Sequence, residues 1–60
     1  MTVELAHREN DGIEVSLLWD RDENSLTVAV TDLRTSEAFE IAVGEKRPLD
    51  VFEHPFAYAA

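Results

Sequence analysis

The sequence predicts an α+β fold: a three- to four-stranded antiparallel meander with a short C-terminal helix packed on one face. Three observations point there. Runs of alternating apolar and polar residues cover Ile13–Asp20, Ser25–Leu33 and Glu37–Val43, the period of half-buried strands. Folding the chain at its polar breaks, Arg21–Asn24 and Leu33–Ser36, aligns the apolar residues in rows: Trp19, Leu26 and Val43; Leu17, Val28 and Ile41; Val15, Val30 and Phe39. After Gly44 the alternation stops and a helical spacing begins.

Upstream of these rows, Val3, Leu5 and His7 alternate with Glu4, Ala6 and Arg8, which predicts a fourth strand over about residues 2–9. Asn10-Asp11-Gly12 reads as a three-residue hairpin loop with Gly12 in the left-handed conformation. That loop pairs Glu9 with Ile13, and so sets His7 beside Val15, Leu5 beside Leu17 and Val3 beside Trp19, all on the apolar face. Between the second and third strands, Arg21-Asp22-Glu23-Asn24 suits a four-residue loop, with Asn24 accepting the left-handed conformation. Leu33-Arg34-Thr35-Ser36 has neither glycine nor asparagine, and Asp32 would face Glu37. A wider loop or a bulge is expected there.

The last segment, about residues 47–58, opens with Pro48, whose missing N–H costs nothing at the first helical position. Leu49, Phe52 and Phe56 then fall at i, i+3 and i+7, a stripe that would cover the apolar rows. Pro55 disfavours helical geometry at His54, so the expectation is a helix of about two turns, a break, and a further turn or extended tail. The opposite sheet face reads Glu14, Ser16, Leu18; Thr27, Ala29, Thr31; Ala38, Glu40, Ala42. Such a face is either simply solvated or a flat contact surface around Leu18, Ala29 and Ala42.

At 60 residues the chain forms one domain, 1–60, with the sheet over about 2–43. A domain this small buries only about 60% of its unfolded surface, which makes an oligomer, a homodimer first, the expected supplement to the core. The sequence has no cysteine, which removes disulfides, thiolate metal sites and cysteine nucleophiles. No run approaches the roughly 18 apolar residues of a membrane span, and Met1–Asn10 lacks the pattern of a signal peptide. A cytoplasmic protein with no membrane partner is expected. With 13 acidic against 5 basic side chains and a net charge of -8, phosphate backbones are repelled, so direct nucleic-acid binding is disfavoured. The charge serves either solubility or attraction to a basic protein groove, in imitation of nucleic acid.

Candidates for chemistry are few. His54 sits between Glu53 and Pro55 and reads as a cap of the broken helix end, or as a base or pH sensor. His7 reads as a rim residue of the core, or as one ligand of a metal site with His54 and Asp32 or Glu37. No close ligand spacing supports a metal, Gly12 and Gly44 belong to no phosphate-binding loop, and no cofactor is expected. The chain reads as a non-enzyme.

Two resemblances lie at the C-terminus. Ala57-Tyr58-Ala59-Ala60 resembles the Ala-Leu-Ala-Ala ending of the bacterial tag on stalled translation products, which implies an end read by energy-dependent proteases; a packed or frayed end is the alternative. His54-Pro55-Phe56-Ala57-Tyr58-Ala59-Ala60 resembles the endings of short uncharacterised actinobacterial proteins that carry alternating strands ahead of a Pro- and Phe-containing tail. That resemblance implies a bacterial, cytoplasmic setting and carries no mechanism.

The functional expectation is a protein-interaction module that self-associates, with an unidentified protein as a further partner and with Leu18, Ala29, Ala42, Phe52, Phe56 and Tyr58 as candidate contact residues. The outer strand Glu37–Val43 is a candidate for edge pairing. The rival is an acidic regulator whose carboxylates, such as Glu14, Asp20, Asp22, Glu23 and Glu40, occupy a basic groove.

Overall fold

The computed structural model describes residues 1–58. Strands β1 (Thr2–Asn10), β2 (Ile13–Asp20), β3 (Ser25–Asp32) and β4 (Glu37–Ala42) form one antiparallel sheet in the order β1-β2-β3-β4, followed by helix α1 (Pro48–Glu53) and a 3-10 turn over Pro55–Ala57. The predicted rows are present. Trp19, Leu17 and Val15 pair with Leu26, Val28 and Val30, and the last two pair onward with Ile41 and Phe39. Val43 closes its row by donating its N–H to Leu26 O at 3.0 Å. Val15, Leu17, Val28, Val30, Ile41, Val43 and Val51 form the buried core.

The first hairpin differs from the expected one. Asp11 and Gly12 both lie in the left-handed region, at φ 53° and 79°, the signature of a two-residue type I′ turn whose twist matches that of the strands it joins. Asn10 therefore pairs with Ile13, and His7 faces Ser16 in place of Val15. A shift of one residue exchanges the two faces. His7 moves to the outer face, where its Nδ1 lies 3.0 Å from Ser16 Oγ, and Arg8 and Ala6 take the inner positions opposite Val15 and Leu17. The register slips once more between Glu4 and Ala6, where Leu5 is the extra residue of a bulge. That slip restores Val3 opposite Trp19 and leaves Leu5 52% exposed.

The second correction concerns β3 and β4. Their ladder is regular, with Asp32 opposite Glu37 and Ser36 taking a left-handed φ of 62° at the end of the loop. The expected repulsion is relieved locally. Asp32 accepts the Arg34 backbone N–H at 2.9 Å and its guanidinium at 3.2 Å. The side-chain bond to Arg34, followed by the backbone bond and the charge of the same residue, outweighs partial burial and holds the Asp32 carboxyl below its ordinary pKa.

The third correction concerns the cover. Pro48 begins α1 as expected, but Leu49 is 65% and Phe56 59% exposed, while Val51 and Pro55 are buried. The i, i+3, i+7 stripe requires one unbroken helix, and the backbone leaves helical geometry at His54, with φ −130° and ψ 55°. The break turns Phe56 aside to meet the edge of Phe39 at 5.7 Å, and Val51, Phe52 and Tyr58 pack on the core in its place.

Arg8 holds this cover down. From the inner face of β1, its Nη2 donates to the carbonyl oxygens of Phe52 at 2.8 Å and Glu53 at 3.1 Å, and its Nε donates to Phe52 O at 3.3 Å. The guanidinium carbon lies 5.3 Å from the centre of the Phe52 ring. The last carbonyls of a helix have no partner within it, and a cation suits that negative end. Arg8→Ala is expected to lower the free energy of unfolding by about 2 kcal/mol, the worth of charged hydrogen bonds to partly buried carbonyls. Arg8→Lys recovers only part of it, because an ammonium cannot reproduce the planar fork. Urea denaturation monitored through Trp19 measures both, and an unchanged midpoint for Arg8→Ala would contradict the clamp.

Candidate functional site

A sheet with a covered inner face leaves three surfaces for contact: its outer face, its two edges, and the clefts at its margins. Register defines the edges. Because Val43 N–H bonds to Leu26 and bonded pairs recur at every second residue of an antiparallel ladder, Ile41, Phe39 and Glu37 share the bonds to β3. The N–H and C=O groups of Ala38, Glu40 and Ala42 point the other way, along the open margin, and all three residues are exposed. β4 contains no proline, lysine or bulge, three of the means of blunting an edge, and its charges are Glu37 at the end and Glu40 in the middle. The margin of β1 is different, since the bulge at Leu5 interrupts it and Glu4 and Glu9 charge it.

On the outer face, the rows run Glu9, Glu14, Thr31, Ala38; His7, Ser16, Ala29, Glu40; and Glu4, Leu18, Thr27, Ala42. Thr27 therefore separates Leu18 from Ala42, and Glu40 flanks Ala29, so these three candidates form no continuous apolar patch. Carboxylates gather instead. Asp20, Glu23 and Glu40, together with Leu18, Thr2 and Thr27, border a hollow of about 260 Å³.

A cleft of about 420 Å³ lies between the first hairpin and the C-terminal turn, bordered by Arg8, Ile13, Glu53, His54, Pro55 and Phe56 among others. Arg8 is committed to the helix end there. His54 contributes its backbone N–H to Asp50 O at 2.9 Å, as the cap of α1. The metal site that would join the two histidines does not assemble: His7 lies on the outer face beside Ser16 and Glu4, and His54 lies at the tail. Among the described residues, no three His, Cys, Asp or Glu side chains are placed to hold a metal ion, and no helix is long and apolar enough to cross a membrane.

The aromatic candidates belong to the cover. Phe52 and Tyr58 pack against the core, Phe56 leans on Phe39, and the Tyr58 hydroxyl donates to the Asp50 carboxylate. Two of the four residues of the protease-read ending, Ala59 and Ala60, lie outside the described residues. The role of Arg8 is not legible from alternation, because it depends on the parity of the first hairpin. The Asp11-Gly12 dipeptide is the available signal, since such pairs favour a two-residue turn.

Comparison with family models, with curated proteins and with solved structures finds no match to this chain.

The hydrogen bond to Asp50, then burial, then the Asp50 charge, raise the Tyr58 pKa above its ordinary value. A group whose folded pKa is raised stabilises the fold below its unfolded value, about 10, and loses that contribution as pH rises through the folded value. Stability is therefore expected to fall above about pH 10 in a limb that Tyr58→Phe flattens, as measured by urea midpoints across alkaline pH.

Proposed function

We propose that this chain is a non-enzymatic protein-interaction module that self-associates through the open margin of β4. The observation that carries this reading is the run of outward-facing backbone groups at Ala38, Glu40 and Ala42, on a strand without proline, lysine or bulge. Backbone donors and acceptors at a sheet edge give affinity to any extended strand that completes the ladder. The small core supplies the motive, since a domain of this length gains stability by mass action when it associates. The bacterial cytoplasm is the setting that the tail resemblance implies.

A second reading, an acidic regulator on a basic protein groove, draws support from the hollow bordered by Asp20, Glu23 and Glu40. The two readings separate by salt. Self-association between copies that each carry a net charge of -8 strengthens as salt screens their repulsion, whereas capture by a basic groove weakens. Sedimentation from low to high micromolar concentration, in low and high salt, is expected to show a reversible dimer favoured by salt. A monomer at every concentration and salt would overturn the self-association reading.

A further inference from the structure

We propose that Glu40 sets the register in which a second copy pairs with β4: antiparallel and centred on Ile41, with Glu40 opposite Ala42 of the second copy. This inference rests on the self-association reading and adds to it a geometry and a residue that selects it.

The occupant is limited by what the edge can accept. A second copy's β1 would bring Glu4, Glu9 and the Leu5 bulge against Glu37 and Glu40, opposing like charges on an interrupted ladder. A second β4 is unbulged and regular. Because only Ala38, Glu40 and Ala42 offer outward groups, two antiparallel copies can form more than one bonded pair in just three registers. The fullest overlap sets Glu40 against Glu40 of the second copy, and directly opposed like charges are destabilising. A shift toward the β3–β4 loop sets Ala38 against Glu40 of the second copy but lays Glu37 beside Ile41 of the second copy, a carboxylate on the apolar side.

The remaining shift sets Glu40 and Ala42 against Ala42 and Glu40 of the second copy. On the inner side it brings Ile41 beside Ile41, and Phe39 beside Val43, of the second copy. Within the paired stretch from Phe39 to Val43 no charges oppose in that arrangement. Ile41 and Val43 are already 8% and 1% exposed in one copy, so backbone hydrogen bonds dominate the contact. A paired stretch from Phe39 to Val43 falls short of the roughly 1,200 Å² of a stable interface, which makes the dimer a reversible one. The two open margins left by such a dimer belong to the β1 strands, whose bulge at Leu5 halts further growth.

The register is read by two lysine variants of equal charge, with proline as a block. Ala42→Lys places a cation opposite Glu40 of the second copy, twice by symmetry, and is expected to tighten the dimer roughly fivefold relative to Ala38→Lys. Ala42→Pro removes an outward N–H that β3 does not use, and proline is tolerated at that kind of edge position. It is expected to abolish dimerisation while leaving the circular dichroism of the monomer intact. Sedimentation equilibrium of the full chain measures all four proteins. Equal affinities for the two lysine variants, or a tighter dimer with Ala38→Lys, would overturn the register, while a wild type that never dimerises would instead remove the reading beneath it.

Discussion

The contact between Arg8 and the end of α1 depends on a single question of parity, and the seating of the cover over the sheet draws on that contact. A two-residue turn at Asp11 and Gly12 places Arg8 on the inner face of β1. From there its guanidinium reaches the carbonyls of Phe52 and Glu53. With one more residue in that turn, Arg8 would face outward and the short helix would lose its side-chain hydrogen bonds to the sheet. A six-residue helix has little stability of its own. Its place over the rows rests on Val51, Phe52, Pro55 and this clamp.

The clamp also determines which surfaces remain for contact. With α1 and the 3-10 turn held over the core, the apolar rows close on their own chain. The outer face offers a mixture of hydroxyls, carboxylates and small side chains, suited to water. Backbone groups stay open along both edges, and the unbulged one is β4, where Ala38, Glu40 and Ala42 carry donors and acceptors toward the margin. The proposed function accordingly rests on a hydrogen-bonding edge more than on any side-chain constellation. In the proposed dimer the side chain that selects the register is Glu40, through repulsion of its own counterpart.

The three later strands are legible in the sequence because side-chain period and loop length agree: Val15, Val30 and Phe39 line up once Arg21–Asn24 and Leu33–Ser36 are turns. The first hairpin is not, because Val3 opposite Trp19 fits both a three-residue loop with no bulge and a two-residue loop with one. The bulge at Leu5 cancels the shift at that end of the strand and hides it. The regular pairing of Asp32 with Glu37 is hidden too, because its relief comes from Arg34 in the loop, a contact that alternation does not encode. In the tail, residue size misleads. Leu49 is large and apolar yet exposed, while Val51, two residues on along α1, is the residue that faces the core; beyond the break at His54, Pro55 is buried and Phe56 exposed. Of the contact candidates, Phe52 and Tyr58 are part of the chain's own cover, and Ala42 lies on the open edge.

Amide hydrogen exchange, followed residue by residue across protein concentration, tests the role of the edge most directly. At low concentration the amides of Ala38, Glu40 and Ala42 are expected to exchange quickly, while those of Phe39 and Ile41 are protected by β3. As concentration rises, protection should grow at Glu40 and Ala42 first, the two residues that pair across the proposed axis. Amides at Glu40 and Ala42 that exchange at the same rate at every concentration would contradict the assignment of β4 as the interaction surface.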